Sequence, residues 1–278
     1  MVNTIFGLCL LVGSLFAGLI GSLTGLGGGV LLVPMLVLLF HVSVRYAVGT
    51  SLISVIATSS GAASAYLTEG YTNLRIGMFL QMAATAGAIV GAIIAGLLHG
   101  TTIAIIFGLV LLYSSYLSLR RKEEAESPRP SARLAKQLRL EGSYPTAGGW
   151  KGYRVYNVSG GFSLMLAAGT LSGLLGIGSG AVKVLAMDQL MRLPYKVSTT
   201  TSNFMIGITA AASAGIYLHA GFIDPGLTMP VMLGVLGGAF IGAKLLMRVP
   251  TKPLRIFFSL VIFVMAVEMI YSGLTGRL

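Results

Sequence analysis

Eight apolar runs, separated by short polar turns, constrain this chain more than any other feature of its sequence. A helix needs about 20 apolar residues to cross the hydrocarbon core of a bilayer. Two further apolar pieces, 29–41 and 180–191, are shorter than that, and each follows a cluster of glycines. The eight long runs cover residues 4–24, 46–66, 74–98, 101–119, 156–175, 198–218, 226–247 and 254–272. We therefore predict an all-α integral membrane protein embedded in the lipid bilayer.

Composition and charge agree with this class. Only 10% of the residues are charged, whereas soluble domains carry about a quarter. The net charge is +11, and nine of the 19 basic residues lie between Arg120 and Arg154. Because this basic segment separates two apolar blocks, it is typical of a cytoplasmic loop rather than of a nucleic-acid-binding surface, and we expect no nucleic-acid partner. The start, Met1–Thr4, has no positive charge, so we expect the first apolar run to be retained as a helix.

The two apolar blocks are copies of one another. A single offset without a gap pairs residues 18–94 with 169–245, and Gly27 falls on Gly178. Matched positions include glycines and hydroxyls as well as aliphatic residues, which chance similarity between two apolar sequences does not explain. The sequence thus predicts a first transmembrane repeat at 1–119, a cytoplasmic linker at 120–154 and a second transmembrane repeat at 155–278.

The distribution of basic residues predicts how the copies are oriented. If each glycine-broken pair of segments enters and leaves on the same face, most basic loops fall on the cytoplasmic side, as the positive-inside rule requires. The residues then inside are Arg75, Arg192, Lys196, Arg248, Lys252 and Arg255, and those outside are Arg45 and Arg277. Each half has an odd number of segments in this arrangement, so we predict two inverted repeats with glycine-broken half-helices and both termini outside.

The glycine clusters are the first candidate site. Glycine permits backbone conformations that other residues resist, so each cluster should break its helix. The half-helix that follows begins with unpaired N–H groups and a positive dipole end, which suits an anion. A close helix crossing is the alternative interpretation, and a nucleotide P-loop is disfavoured because no Lys-Ser/Thr pair follows either cluster. The substrate-binding candidates here are Gly27, Gly28, Gly29, Gly178, Ser179 and Gly180.

Hydroxyls and one lysine extend this candidate site. Thr50-Ser51 pairs with Thr201-Ser202 across the repeat, and Asn203 follows directly. These groups can donate hydrogen bonds to an anion, although helix capping or inter-helix bonding would also account for them. Lys183 lies in the first turn of the second half-helix, where an unpaired cation is costly unless an anion is near. Pairing with Asp188, or extension of the ammonium to the membrane surface, is the alternative for Lys183.

Other chemistry is not readable from the sequence. The three histidines lie at segment ends without metal-ligand spacing, and a single cysteine, Cys9, excludes an internal disulfide. We predict no catalytic set, no metal and no cofactor. Gln81, in the middle of a helix, could bond across helices, and Asp188 is a candidate proton carrier. The oligomeric state is open, with a homodimer among the options.

The Gly25-Leu-Gly-Gly-Gly29 cluster with Pro34, followed by Ala47-Val-Gly-Thr-Ser51 and repeated after a linker, resembles the TauE/SafE sulfite exporter family. The resemblance covers nearly the whole chain except 120–154. It implies a permease of the bacterial or archaeal inner membrane that exports sulfite or an organosulfonate. The second copy departs from the pattern, because Ser179 replaces the middle glycine and Leu185 stands where Pro34 does.

These observations favour a secondary transporter that moves a small anion by alternating access, with a proton as a candidate coupling ion. An anion channel for the same ligands is the main alternative, and saturable, gradient-coupled flux would distinguish the transporter. A membrane-embedded enzyme is the remaining alternative, and covalent turnover of a substrate would reveal it.

Overall fold

A computed structural model of the chain describes residues 4–24, 28–68, 71–119, 133–146, 149–246 and 251–276. Within them lie a first group of helices, α1 (Thr4–Thr24), α2 (Gly29–Leu38), α3 (Val44–Thr68), α4 (Leu74–Leu97) and α5 (Gly100–Leu119). A linker region follows, with α6 (Arg133–Gln137), β1 (Gly142–Thr146) and β2 (Gly149–Tyr153). The second group is α7 (Val158–Leu175), α8 (Gly180–Leu185) with a π-helical turn (Ala186–Leu190), α9 (Tyr195–His219), α10 (Pro225–Leu246) and α11 (Thr251–Leu274).

Every long apolar run forms a helix, with ends that differ from the predicted ones by a few residues. Three helical stretches in the described residues are by length and composition able to cross a membrane on their own, namely Leu74–Leu97, Val158–Leu175 and Pro225–Gly242. Shorter apolar helical stretches cover Ile5–Gly21, Gly29–Leu38, Gly100–Tyr116 and Ser259–Leu274. The chain is therefore a multi-pass, helical membrane protein, as the sequence predicted.

Each glycine-broken pair folds back on itself. The ring of Phe6, early in α1, lies 5.8 Å from the ring of Phe40, just after α2. In the second half the backbone N–H of Tyr156, just before α7, donates to the carbonyl of Met191, just after the π-helical turn, at 3.1 Å. A helix of ten residues such as α2 rises about 15 Å, which is half of a hydrocarbon core of about 30 Å. The end of each short segment therefore lies close to the start of its longer partner.

Glycines allow the closest helix contacts between the halves. A Cβ at Gly169 of α7 would collide with the carbonyl oxygen of Ala84 in α4, and one at Gly18 of α1 would collide with the carbonyl of Val235 in α10. These two contacts correspond under the repeat, since Gly18 matches Gly169 and Ala84 matches Val235. The pairs α1–α10 and α4–α7 are therefore equivalent contacts, made by backbones that approach closely in lipid.

Two further pairs join a helix to its own counterpart, and both pairs are antiparallel. In the α3–α9 pair, Gly49 lies against Phe222, just past α9, and Gly207 lies against Ser59. In the α5–α11 pair, Ser115 Oγ donates to the Ser259 carbonyl at 2.9 Å, while Thr101, near the other end of α5, faces Gly273.

The linker region packs against one end of the helices. Asn73 begins α4, with its side-chain oxygen accepting from the Ile76 N–H at 3.0 Å. Its Nδ2 donates to the Tyr153 hydroxyl at 2.6 Å and to the Leu140 carbonyl at 3.1 Å. Burial raises the pKa of the Tyr153 hydroxyl, while the bond from Asn73 opposes that rise. A single asparagine thus caps a helix and holds the linker to it.

The hairpin β1–β2 departs from the all-α prediction. Its register pairs Gly142 with Tyr153 and Thr146 with Gly149, and Gly149 has a φ of 109°. Apolar and polar residues do not alternate along 142–153, so the sequence contains no signal for strands here. The hairpin is stabilised instead by contacts such as the hydrogen bond between Tyr153 and Asn73, and β2 has no buried face. The short helix α6 precedes the hairpin in the same linker region.

Candidate functional site

The two glycine segments meet beside α3. Gly29 begins α2, and a Cβ placed there would lie 2.6 Å from Val55 Cγ2 and 3.3 Å from the carbonyl oxygen of Gly176. The hydroxyl of Ser51 donates to the Gly176 carbonyl at 2.8 Å and lies 3.4 Å from the Gly29 carbonyl. Ser51 is fully buried. One serine of the first half thus joins the glycine segments of both halves.

The second half repeats this arrangement. The hydroxyl of Ser202, which matches Ser51, donates to the carbonyl of Gly180 at 3.3 Å, and Gly180 matches Gly29. A Cβ at Gly178 would lie 2.7 Å from Ile206 Cγ2 in α9 and 3.4 Å from Val55 Cγ1 in α3. The structure therefore brings together the predicted residues of both clusters that it describes, while Gly27 lies outside the described residues.

The second glycine segment has an unusual backbone. Gly176 and Gly178 have a φ of 68°, and Ser179 has a φ of 44°. Glycine adopts this left-handed region freely, whereas a residue with a Cβ loses about 1–2 kcal/mol there. Gly28 of the first segment is right-handed, with a φ of −62°. Ser179 thus holds a strained conformation, and strain of this kind is concentrated at functional sites.

The remaining hydroxyls of the predicted site lie at helix contacts. Thr50 Oγ1 is 3.4 Å from Thr228 Oγ1 of α10, and Thr201 Oγ1 accepts from the backbone N–H of Asn73 at 3.1 Å. Both threonines therefore join helices, which is the alternative that the sequence left open for them. Asn203 is half-buried on α9.

Lys183 lies inside the protein. Its side chain has 0% exposure, and its ammonium donates to Thr209 Oγ1 of α9 at 2.7 Å. The hydroxyl of Thr209 in turn donates to the Met205 carbonyl at 2.8 Å. Full burial and a hydroxyl acceptor favour an interior role for Lys183 over an ammonium that reaches the membrane surface. A buried ammonium without a charged partner is energetically unfavourable, and a nearby anion would offset that cost.

Gln81 of α4 completes this cluster. Its Nε2 donates to Thr209 Oγ1 at 3.1 Å and to Thr85 Oγ1 at 2.7 Å, so Gln81 bonds across helices as its mid-helix position suggested. Lys183, Thr209, Gln81 and Thr85 thus connect α8, α9 and α4, and we call these four residues the polar cluster. Sequence reasoning missed Thr209 and Thr85, although Thr209 matches Thr58 across the repeat.

The polar cluster belongs to one half of the symmetric frame. The matched positions of Lys183, Gln81 and Thr85 are apolar, and only Thr209 has a polar counterpart. The counterparts of Lys183, Thr209, Gln81 and Thr85 are Leu32, Thr58, Met232 and Leu236, respectively. The charge of Lys183 therefore has no counterpart in the first half, although the two halves match in sequence around it.

A duplicated helical membrane protein with half-helices that begin inside the bundle has the organisation of secondary membrane transporters. The comparisons with known proteins give the same class. The chain belongs to the sulfite exporter TauE/SafE family, whose model matches residues 10–269.

Three relatives agree with the family. The chain is 29% identical over 272 residues to the "Probable membrane transporter protein YunE" of Bacillus subtilis (strain 168), covering 95% of this chain and 97% of the relative. It is 29% identical to YdhB of the same organism, covering 86% of this chain and 89% of the relative. It is 26% identical to a protein of Xylella fastidiosa (strain 9a5c), covering 97% of each chain. Both carry the same "Probable membrane transporter protein" description. No solved structure gives a significant match.

Proposed function

We propose that the protein is a secondary transporter that exports a small anion, such as sulfite or an organosulfonate, by alternating access. The observation that carries this proposal is the complete burial of Lys183 with a hydroxyl as its hydrogen-bond acceptor. A cation in a medium of low dielectric constant attracts an anion far more strongly than it would in water. The family and its relatives support transport, and the lysine supports an anion as the transported species.

The anion would sit between Lys183 and the glycine segments. Backbone N–H groups of Gly27–Gly29 and of Gly178–Gly180 would donate to it, because the start of a helix has unpaired donors. Ser179 is 2% exposed, and its hydroxyl has no hydrogen-bond partner among the described residues, so it is a further donor for the anion. Ser51 and Ser202 would have a different role, since they attach the half-helices to α3 and α9.

Inverted halves would supply the conformational change. The helices α3 and α9 are counterparts and run antiparallel where they meet, and so do α5 and α11. Counterparts in contact are antiparallel when the two-fold axis lies in the membrane plane, whereas an axis along the membrane normal would make them parallel. This packing supports inverted repeats, in which the two halves exchange conformations to open the site to one side and then to the other.

The orientation follows from charge. Asn73, Tyr153 and Thr201 lie together at one end of the bundle. Arg45, whose Nη2 donates to the Leu98 carbonyl at 2.6 Å, lies at the other end with Phe222, 5.2 Å beneath its guanidinium. Because the linker is rich in basic residues, we place the end of the bundle that it contacts in the cytoplasm of a bacterial or archaeal cell. We accordingly assign the protein to the inner membrane.

Flux through the purified protein in proteoliposomes tests this function. The panel is sulfite, thiosulfate, sulfoacetate, phosphate and small carboxylates, each with and without a pH gradient. We expect saturable flux of a sulfur oxyanion or sulfonate, accelerated by the gradient if protons are the coupling ion. Linear, non-saturating flux would favour a channel, and absence of flux and binding for the whole panel would refute the proposal.

A further inference from the structure

Two hydrogen-bonding groups of the polar cluster are not fully used within the cluster. Thr209 Oγ1 accepts from Lys183 Nζ and from Gln81 Nε2 and donates to Met205, so both its lone pairs and its proton are used. Gln81 Nε2 donates to two hydroxyls, so both of its hydrogens are used. Lys183 has two more N–H donors than this network employs. Among the described residues, the hydroxyl and the amide nitrogen are therefore saturated, whereas the ammonium is not.

The carbonyl oxygen of Gln81 is the second group that is not used. Gln81 is 7% exposed, and among the described residues its Oε1 accepts no hydrogen bond. In the orientation that the structure shows, both hydrogens of the amide nitrogen find hydroxyl acceptors, and the Thr209 proton, which already goes to Met205, is not needed for the amide. The orientation with the free oxygen is thus the better satisfied one. A buried unpaired acceptor is unfavourable unless a ligand donates to it.

The Lys183 ammonium and the Gln81 amide both lie next to the hydroxyl of Thr209. Thr209 Oγ1 lies 2.7 Å from Lys183 Nζ and 3.1 Å from Gln81 Nε2, so the ammonium and the amide flank the same hydroxyl. Unused donors and an unused acceptor therefore belong to the two side chains that flank one hydroxyl. A ligand that satisfies both accepts hydrogen bonds with an anionic oxygen and also donates one, and in a simple oxyanion the donor is an O–H group.

We propose that Gln81 and Lys183 form a subsite that selects oxyanions retaining one O–H group, such as hydrogensulfite, over anions of the same shape that lack it. The O–H would donate to Gln81 Oε1, and an anionic oxygen would accept from Lys183 Nζ. A sulfonate group has acceptors only, so it would turn an oxygen towards the Gln81 carbonyl. This inference rests on the proposed anion transport and identifies which protonation state of the substrate the site prefers.

The repeat supplies the matched control for this proposal. Met232 of α10 is the counterpart of Gln81, so it has the equivalent place in the duplicated frame without a polar group. Met is also close in size to Gln, and Gln81→Met therefore removes the carbonyl while keeping most of the side-chain volume. Met232→Leu changes the counterpart position by a similarly small amount and leaves the polar cluster intact.

The test uses two anions of the same charge and nearly the same shape, methanesulfonate and the monoanion of methylphosphonate. Only the second has an O–H group. Each competes with sulfite for binding to the purified protein, at a pH at which methylphosphonate is a monoanion. We expect wild type and Met232→Leu to bind methylphosphonate about ten- to hundredfold more tightly, as one hydrogen bond made in a buried site would give. Gln81→Met should bind the two anions with similar affinity.

The outcomes separate this inference from the proposed function. Equal binding of the two anions by wild type would overturn the subsite, even if sulfite is transported, because a water molecule would then suffice for Gln81. Retention of the preference in Gln81→Met would also overturn it. Sulfite binding without competition from either probe would do the same. If the wild type binds no anion of the panel, the proposed function fails as well. If Gln81→Met does not fold, the selectivity of the wild type decides alone.

Discussion

Replacement of Thr209 by valine tests the polar cluster most directly. Valine keeps the branched shape of threonine and has a similar helix propensity, so the α9 backbone should not change. The hydroxyl, however, is the acceptor for both Lys183 and Gln81. Thr58 provides the control, because it is the counterpart of Thr209 in α3 and its hydroxyl donates only within its own helix, to Ser54 and Val55.

The size of the expected effect follows from these bonds. Thr209→Val removes the acceptor of a charged donor, worth about 1.5–3 kcal/mol, and that of a neutral donor, worth about 0.5–1.5 kcal/mol. The free energy of unfolding should therefore fall by about 2–4.5 kcal/mol. Thr58→Val loses a hydroxyl bond to the carbonyl of the preceding turn, and its cost should remain below about 1 kcal/mol. The difference between the variants isolates the role of Thr209 as an acceptor.

Reversible unfolding in mixed micelles, with increasing denaturing detergent, measures both free energies. Sulfite binding is measured on the same samples, and we expect Thr209→Val to weaken it because Lys183 loses its position. Equal loss of stability in the two variants would mean that the Lys183 and Gln81 bonds contribute nothing beyond the threonine side chain. Unchanged anion affinity in Thr209→Val would remove the polar cluster from the binding site.

Three further predictions use the same protein. Lys183→Ala should weaken anion binding about ten- to hundredfold, with Lys183→Arg intermediate because its planar fork presents donors differently; unchanged affinity would exclude the lysine from the site. Gly238→Ala should destabilise the fold because its Cβ would meet the carbonyl of Leu15, whereas Gly237→Ala, with no atom within 4 Å of its Cβ, should be neutral or stabilising in a thermal unfolding assay; equal effects would contradict the close crossing. Single cysteines at positions 43 and 143 in a cysteine-free background should be labelled from opposite sides of the membrane, and labelling from one side would refute the orientation.

The sequence by itself determined the helices and the positions of the short segments, and it predicts the repeat. A transmembrane helix satisfies its backbone hydrogen bonds internally and needs only enough apolar length, so each of the eight runs could be assigned from local information. Glycine acts locally as well, which is why the positions of α2 and α8 followed from the clusters before them. Lys183 was also predictable from local information, because a cation within an apolar segment is easily recognised in the sequence.

Only the tertiary structure decided which side chains meet. Lys183, Thr209 and Gln81 lie on three helices, and their contact depends on where those helices cross, which periodicity and length do not encode. The crossings themselves depend on backbone contacts such as that of Gly169 with Ala84. The same geometry separated the two hydroxyls of each Thr-Ser pair, with Ser51 on the glycine segments and Thr50 on α10. Neighbours in a helix point about 100° apart, so a motif that is continuous in sequence serves two different contacts in space.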